Sequence, residues 1–409
     1  MHVLFVSQYF TPEIGATQTR IHEFARAFAA RGHRVTVLTE FPNHPHGRIP
    51  ESYHGKVFTH EDMDGFVVER VWVKASQVKN FRTRLLFYLS FLALATGRGL
   101  TLRGPVDVVF ATSPPLPVGL AGWLVAVRHR ARFILDVRDL WPGAAEALGE
   151  LRSPPLLRMA SWLEAFLYAR ADRISAVTNS FVRDIARRVR HAEKVLHLPN
   201  GASTDVFDPA RADLAIRRAV APTGGFVVTF AGLLGIAQGL STVLDAADLL
   251  RDRRDVRILL IGDGPAKARL RHVAEERGLD NVGFLDAMPA ASVTSYLVAS
   301  DALLVPLGAE PIFRLFVPSK LFDFLACARP VILMVDGEAR EILEAASGGV
   351  FAPPGDATAL AQAIRALAAL SASERDAMGA RGRAYVLANY TRAEQSRRLI
   401  ALAESMTSR

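Results

Sequence analysis

The segment PSKLFD, residues 318–323, combines a cation and a carboxylate at a predicted helix start. Ser319 and Lys320 fall in the first turn, where a cation opposes the helix dipole and a bound phosphate would compensate for it. Asp323 lies three residues further along the same face and can accept hydrogen bonds from a ribose hydroxyl pair. Arg314 precedes the segment and is a second candidate cation for a diphosphate. The segment therefore predicts a nucleotide site.

Glycine-rich loops follow predicted strands and precede predicted helices at three places in the chain. These loops contain Gly15, then Gly232 and Gly235, then Gly264. A glycine there lets a ligand approach the backbone, and the helix N-terminus offers free amides to an anion. The first loop lacks the G-x-G-x-x-G dinucleotide fingerprint. We predict that these four glycines contact the nucleotide; the alternative for each is a tight turn without a ligand.

Three charged residues follow the predicted strand at residues 132–136, where open α/β sheets place their ligands. They are Asp136, Arg138 and Asp139. A carboxylate here can accept the proton of an acceptor hydroxyl, and the arginine can bind an acceptor phosphate. We therefore predict these residues as the catalytic set. The alternative is an Asp–Arg pair that fastens the strand end.

Metal and thiol chemistry have little support in the sequence. His44, His46, His54 and His60 lie in a predicted loop region without ligand spacing, so we expect solvated side chains there. The chain has one cysteine, which excludes an intrachain disulfide and suits a reducing compartment. We expect no metal and no cofactor.

The elements that must position these residues alternate between short β-branched strands and amphipathic helices. This pattern restarts after a Pro-containing stretch near residues 199–224, and 409 residues are enough for two domains. We predict an α/β protein with two Rossmann-like domains facing a cleft. The predicted boundaries are 1–200, 201–385, and a terminal helix at 386–409 that packs back on the first domain.

The net charge of +8 is concentrated in one segment. Residues 74–103 carry six basic and no acidic side chains around the uncharged run at 85–96. The run is too short to span a bilayer but suits a helix lying in the interface of an anionic membrane; a buried Rossmann helix is the alternative. The N-terminus predicts a strand rather than a signal peptide. Aliphatic residues, rather than stacking aromatic ones, accompany the charges, which argues against nucleic acid.

The order and spacing of these motifs resemble the family 4 glycosyltransferases of the GT-B fold. The resemblance rests on the glycine-rich loops, the DVRDLWP segment at 136–142, the PNG linker at 199–201 and the PSKLFD segment. It extends over most of the chain and is closest to enzymes of bacterial O-antigen and capsule synthesis, such as L-fucosamine transferases.

The resemblance implies a retaining, metal-independent transferase that binds a nucleotide diphospho-sugar mainly on its C-terminal domain. Asp323 takes the place of the second Glu of the family's E-x7-E motif, which holds the ribose. The first Glu is replaced by Leu315, and only Glu310 lies nearby. Many relatives also carry Arg and Lys in the glycine-rich loop, whereas this chain has apolar residues there. Arg314 and Lys320 are therefore the candidate cations for the diphosphate. Arg138-Asp139 replaces the family's His-Asp.

These observations favour transfer from a UDP-linked sugar to a polyprenyl-diphosphate-linked glycan at the cytoplasmic membrane face, in O-antigen, capsule or exopolysaccharide synthesis. Two alternatives from other classes remain open. One is a GT-B-fold nucleotide-sugar 2-epimerase, which would consume donor without an acceptor. The other is a non-catalytic subunit of a glycan-assembly complex, which would bind donor without turnover.

Overall fold

The computed structural model describes residues 1–13, 15–44, 47–78, 80–147, 149, 151, 153–221 and 224–407. His46 and Lys79, which enter the sequence predictions, lie outside these ranges. The chain forms two compact units. The N-terminal unit comprises Met1–Pro199 and Ala393–Arg409, and the C-terminal unit comprises Asn200–Arg392. The units thus divide after Pro199 and after Arg392, where the sequence-based boundaries are 200 and 385.

The N-terminal unit is an eight-stranded sheet covered by helices. Its strands are β1 (His2–Val6), β2 (Arg34–Glu40), β3 (Phe58–Met63), β4 (Phe66–Val71), β5 (Val108–Ser113), β6 (Arg132–Val137), β7 (Arg173–Ala176) and β8 (Val195–His197). Its first helices are α1 (Ala16–Ala30), α2 (Phe81–Leu100), α3 (Leu116–His129), α4 (Gly143–Ala147), α5 (Pro154–Arg170) and α6 (Asn179–Arg188).

The strand order β3-β4-β2-β1-β5-β6-β7-β8 is parallel except for the β3–β4 hairpin. The order reverses between β1 and β5, so the carboxyl ends of these strands flank a crevice of the kind that binds ligands in doubly wound sheets. The core on one face of the sheet contains Phe5, Phe24 and Phe28, which are fully or almost fully buried.

The C-terminal unit repeats this architecture with a six-stranded parallel sheet. Its strands are β9 (Phe226–Ala231), β10 (Val256–Ile261), β11 (Val282–Leu285), β12 (Ala302–Pro306), β13 (Val331–Met334) and β14 (Gly349–Phe351). Its helices are α7 (Leu214–Val220), α8 (Leu240–Leu249), α9 (Lys267–Glu276), α10 (Ala290–Ala299), α11 (Ser319–Ala326), α12 (Glu338–Ala346), α13 (Ala357–Ala369) and α14 (Ala372–Asn389). The order β11-β10-β9-β12-β13-β14 is that of a Rossmann sheet, with its reversal between β9 and β12.

The last helix, α15 (Arg392–Thr407), leaves the C-terminal unit after its first residue and packs against the N-terminal one. Leu399 and Ala403 belong to the same buried cluster as Phe5 and Phe24, and the His33 imidazole contacts the Glu404 carboxylate at 3.1 Å. The predicted return of the terminal helix to the first Rossmann-like sheet is confirmed.

The strand predicted at residues 132–136 is present as β6, whereas the sequence prediction missed β3. Its exposed and half-buried residues alternate, and it lies at the sheet edge, where it pairs with β4 in antiparallel orientation. A strand of this kind at a sheet edge lacks the apolar run by which its buried neighbours were found. His60, assigned to a loop from sequence, lies on this strand and pairs with Glu69 at 2.9 Å.

Helix α2 corresponds to the apolar run in the basic segment. An Asn80–Thr83 capping box satisfies backbone groups at its start, and Phe91 and Ala95 face the core. In the described part of the chain, no helix combines the length and the apolar character needed to cross a bilayer.

Candidate functional site

The glycine-rich loop of the C-terminal unit lies where the strand order of its sheet reverses. This loop leaves the carboxyl end of β9, and the backbone N–H of Gly308, in the loop after β12, donates to its Ala237 carbonyl at 2.9 Å. The two loops therefore close the crevice between β9 and β12 at its base. Open α/β sheets bind ligands at this position.

Close backbone packing between the loops after β9 and β10 requires glycine. Gly232 and Gly264 have φ values of +144° and +154°. A Cβ on Gly264 would lie 2.5 Å from the Leu234 carbonyl oxygen, and one on Gly262 would lie 1.9 Å from that of Gly232. These contacts leave no room for a side chain. Gly262 was not among the predicted site residues, although its loop was recognised.

Lys320 points its amine at this glycine loop. A Cβ on Gly232 would lie 2.8 Å from Lys320 Nζ, and the amine lies 3.9 Å from the centroid of the Phe230 ring. No carboxylate in the described ranges forms an ion pair with Lys320. Burial lowers the pKa of this amine to about 7. The structure thus places an amine of lowered pKa over an aromatic face and beside a glycine loop.

Asp323 lies one turn along α11 and is buried with protein partners. Its Oδ1 accepts a hydrogen bond from the backbone N–H of Ser203 at 3.2 Å, and Oδ2 lies 3.5 Å from the Arg392 guanidinium. Burial raises the pKa of Asp323, and Arg392 and the Ser203 N–H oppose that shift. In this structure the carboxylate ties α11 to residues 203 and 392. A ribose would have to share it with these groups.

The other predicted donor residues differ in their surroundings. Arg314 is exposed in a 3-10 turn, and its guanidinium is paired with Asp336 at 2.7 Å. Ser319 is the first residue of α11, after Pro318 at the N-cap position. Gly235 has ordinary extended backbone, with φ −101°. Of the predicted set, the structure therefore brings Gly232, Gly264 and Lys320 to one place.

Asp136 of the N-terminal unit is completely buried at the end of β6 and has a full set of partners. Its oxygens accept from Arg20 at 3.1 and 3.2 Å and from the Ser175 hydroxyl at 2.7 Å. Arg20 also donates to the carbonyls of Leu198 and Pro199. The structure thus matches the alternative prediction, in which an Asp–Arg pair fastens the end of the strand. The arginine of this pair is Arg20. A carboxylate so enclosed does not reach a substrate, so we leave Asp136 out of the catalytic set.

Arg20 was not identified from sequence. The available signal was a charge on the apolar face of α1, four residues before Phe24, and the Arg20 guanidinium lies 4.7 Å from the centroid of that ring. A buried arginine on such a face requires a carboxylate partner elsewhere in the fold.

Arg138 and Asp139 follow the carboxyl end of β6 and are half-buried. The Arg138 N–H donates to the Ser113 carbonyl at 2.8 Å, which holds the loop against the end of β5. Gly15 is the N-cap of α1 with extended backbone, φ 170°, and a Cβ there would meet the Gln18 side chain. The backbone therefore does not by itself require glycine at position 15.

Within the ranges that the structure describes, no group of three or more His, Cys, Asp or Glu side chains is placed to bind a metal ion. His44 and His54 lie near turns, and His60 pairs with Glu69 on the β3–β4 hairpin.

Two Rossmann-like units and a returning C-terminal helix define the GT-B class of glycosyltransferases. Family models agree with this class: residues 15–201 match the model "Glycosyl transferase 4-like domain" and residues 225–369 match "Glycosyl transferases group 1". The two matches together span most of the chain. The chain belongs to the family 4 glycosyltransferases and is a glycosyltransferase.

A relative with similarity along most of its length is the Escherichia coli (strain K12) protein named as colanic acid biosynthesis glycosyl transferase WcaI. It is 26% identical over 379 residues, which cover 89% of this chain and 91% of the relative.

Solved structures support the fold. Sucrose-phosphate synthase from Thermosynechococcus elongatus superposes with a TM-score of 0.75 at 18% identity, covering 100% of this chain and 99% of that one. Anabaena HepE in complex with UDP-glucose superposes with a TM-score of 0.72 at 16% identity, covering 99% and 100%.

Proposed function

We propose that this glycosyltransferase transfers a sugar, with retention of configuration, from a UDP-sugar to a polyprenyl-diphosphate-linked glycan in exopolysaccharide or O-antigen synthesis. In this proposal the C-terminal unit binds the donor. The loops of Gly232 and Gly264 approach the diphosphate, and Lys320 neutralises the charge that develops on the leaving group. Arg314, Ser319, Gly235 and Asp323 supply further donor contacts within this unit.

The Lys320 amine is the observation that carries the proposal. It faces a loop built for close approach, at the strand reversal of a Rossmann sheet, and lacks a carboxylate partner within the described residues. A cation buried in this way has an unfavourable free energy until an anion arrives. HepE, which shares the fold, is named as a complex with UDP-glucose. The name of the colanic acid relative supports the polysaccharide context.

Arg138 and Asp139 are the candidates at the acceptor side. Both follow β6 at the carboxyl edge of the N-terminal sheet, where a ligand is expected. Asp139 would accept the proton of the attacking hydroxyl, and Arg138 would hold an anionic group of the acceptor. No metal takes part in this scheme, because Lys320 and backbone amides provide the charge stabilisation.

A transfer assay tests the proposal. The purified protein is incubated with a panel of UDP-sugars and lipid-linked acceptors, and UDP release and product are measured with and without acceptor. We expect acceptor-dependent UDP release and loss of it in Lys320→Ala. Lys56→Ala, which removes an exposed lysine of the N-terminal unit, serves as the matched control.

The same assay separates the alternatives. Donor converted to an isomer without acceptor would support the epimerase and contradict the transferase. Donor binding without turnover on any acceptor would support the non-catalytic subunit. Family membership favours the transferase over both.

We further propose that the protein binds the inner face of the membrane through helix α2. The first half of α2 exposes Leu86 (54%) and Leu89 (44%), and Arg82 and Arg84 are exposed beside them. Exposed leucines flanked by arginines suit an anionic bilayer surface, where each arginine adds about 1 kcal/mol.

Helix α5, which packs on α3 as α2 does, also exposes apolar side chains. Met159 and Trp162 are 58% and 66% exposed, and Arg158 is exposed beside them. Glu164, the acidic residue of α5, is buried against Arg188 and Tyr168. The exposed charges of α2 and α5 are therefore all cationic.

Flotation with phosphatidylglycerol vesicles measures this association. We expect the Leu86→Glu/Leu89→Glu double variant to lose binding, and Leu249→Glu, at a 49% exposed position of the C-terminal unit, to retain it. Equal flotation of both variants would contradict the assignment to α2.

A further inference from the structure

A cavity of about 450 Å³ lies beyond the carboxyl end of β2 in the N-terminal unit. Its lining residues come from the loop after β2 and from the chain that leads into α2. They are Pro42, Asn43, His44, Arg48, Pro50 and Gln77. The cavity is at the edge of the sheet where a doubly wound fold binds ligands. It is separate from the residues placed at the donor site.

The floor of this cavity is held in place by a buried carboxylate. Glu13 Oε1 accepts the backbone N–H groups of Asn43 and His44, at 2.7 and 2.8 Å. The Asn43 amide donates to Glu40 Oε1 at 2.6 Å and to the Phe41 carbonyl at 3.0 Å. Four hydrogen bonds thus fix two adjacent residues of a loop. Such support is typical of a preorganised binding wall.

Close backbone packing fixes the other side of the cavity. Gly47 has φ +67°, and a Cβ there would lie 2.1 Å from the Ser76 carbonyl oxygen. The loop after β2 is therefore pressed against residues 76–77. A larger residue at position 47 would separate the two walls.

Among the lining residues that the structure describes, none is acidic and Arg48 carries a permanent positive charge. Arg48 forms no ion pair with any carboxylate that the structure describes. With the Gln77 amide oriented so that its oxygen faces the guanidinium, that oxygen accepts from Arg48 Nη2 at 3.0 Å and also from Arg48 Nε. One neutral acceptor leaves most of the five guanidinium donors available to a ligand.

The cavity also adjoins the helix that we propose to lie on the membrane. The Tyr9 ring lies 6.0 Å from the His44 ring and 6.4 Å from that of Phe87, which belongs to the exposed half of α2. Gln77 precedes α2 by a few residues. A ligand in this cavity would therefore sit beside the leucines and arginines of α2.

From this placement we infer that the cavity binds a phosphate or diphosphate group carried by a lipid, with the Arg48 guanidinium and the Gln77 amide nitrogen donating to its oxygens. An arginine fork matches phosphate geometry. The adjoining apolar helix suits the chain to which the phosphate is attached. This inference rests on the proposed function, because it names the part of the lipid-linked acceptor that the N-terminal unit recognises.

Direct binding tests the inference without any turnover. Titration calorimetry with farnesyl diphosphate, inorganic pyrophosphate and farnesol compares the wild-type protein with Arg48→Ala. We expect farnesyl diphosphate to bind the wild type, Arg48→Ala to weaken it at least about tenfold, and Arg48→Lys to restore part of it. Arg187→Ala, an exposed arginine of the same unit, should leave it unchanged. Melting temperatures verify that each variant is folded.

The three ligands separate the sources of the phosphate. Binding of farnesyl diphosphate but not farnesol, with pyrophosphate weaker, supports a lipid-borne diphosphate. Pyrophosphate binding equal to farnesyl diphosphate would contradict the lipid part of the inference. Equal affinity of Arg48→Ala and the wild type for farnesyl diphosphate would overturn the inference. A loss of binding by Arg48→Ala that is seen only in flotation with phosphatidylglycerol vesicles would also overturn it.

Enzyme kinetics distinguish failure of this inference from failure of the proposed function. If transfer occurs, Arg48→Ala should raise KM for the diphosphate-linked acceptor with little change in KM for the donor. An unchanged KM for the acceptor would contradict binding of the acceptor diphosphate in the cavity, and the proposed transferase function would still stand. If no donor supports transfer but diphosphate binding depends on Arg48, the proposed function is contradicted. The inference that the cavity binds a diphosphate would still stand.

Discussion

Asp136 and Lys320 are both charged side chains at the ligand-binding edges of Rossmann sheets, yet their surroundings are opposite. Asp136 is enclosed by Arg20 and Ser175, so each of its oxygens has a partner. Lys320 has an aromatic face and a glycine loop beside it, and burial lowers its pKa. The first arrangement stabilises the fold, whereas the second leaves a cation without a carboxylate partner among the described residues.

The comparison shows how a structural charge is distinguished from a functional one. A buried charge is tolerated when partners replace its hydration, and removing a partner is then costly. A buried charge without such partners costs free energy in the empty protein, and this cost is recovered only when a counter-ion binds. The position of a charged residue at a strand end does not show whether its role is structural or functional. The number of hydrogen-bond and ion-pair partners around the charge does.

The largest expected effect comes from breaking the structural site. Asp136→Ala leaves the Arg20 guanidinium buried beside two carbonyls, which should lower the free energy of unfolding of the N-terminal unit by about 3–5 kcal/mol. Urea denaturation followed by fluorescence measures it. Arg26→Ala, which removes a half-exposed arginine paired with Glu23, should cost under about 1 kcal/mol. A loss for Asp136→Ala no larger than that of Arg26→Ala would contradict the structural role.

The next effect in size is on ligand binding at the functional site. Under the proposed donor site, Lys320→Ala would remove a charge-assisted contact to the diphosphate and should weaken UDP binding by about 1.5–3 kcal/mol, which corresponds to roughly 10- to 150-fold. Calorimetry measures the affinity. Because the variant no longer buries an amine, its melting temperature without ligand should not fall. Unchanged UDP affinity would remove Lys320 from the donor site.

The smallest predicted effect is a pH dependence of UDP affinity that arises from the Lys320 amine. Burial lowers the pKa of Lys320 to about 7, so the amine is mostly charged at pH 6 and mostly neutral at pH 8. A diphosphate binds the charged form, and its affinity should therefore fall as pH rises, by about tenfold over this interval. The measurement is the ratio of UDP affinities of the wild type and Lys320→Met, because the variant reports the titration of UDP itself.

A ratio that stays constant between pH 6 and pH 8 would contradict this assignment.

Much of the fold was predictable because local patterns agree with it. Parallel strands buried on both faces are continuous apolar runs, and helices between them have the spacing of one buried face. The site in the C-terminal unit was partly predictable for a similar reason. Gly232, Gly264 and Lys320 lie directly after strands or at a helix start, and parallel strands bring such positions to one edge.

What the sequence did not indicate depends on residues far apart in the chain. Strand β3 is half-exposed and is held by its hairpin partner rather than by an apolar run. The pairing of Asp136 with Arg20 joins residues 116 positions apart. Arg392, which pairs with Asp323, lies beside the second boundary of the C-terminal unit. No local pattern encodes these pairs.

The sequence by itself determined two Rossmann-like sheets, the place of the glycine loops and the family, because strand periodicity and turn residues are local properties. Only the tertiary structure decided which charges are satisfied. It enclosed Asp136, tied Asp323 to Ser203 and Arg392, and left the Lys320 amine facing a loop that only glycine can form. The physical reason is that the free energy of a buried charge depends on the groups that surround it, and folding brings those groups from distant parts of the chain.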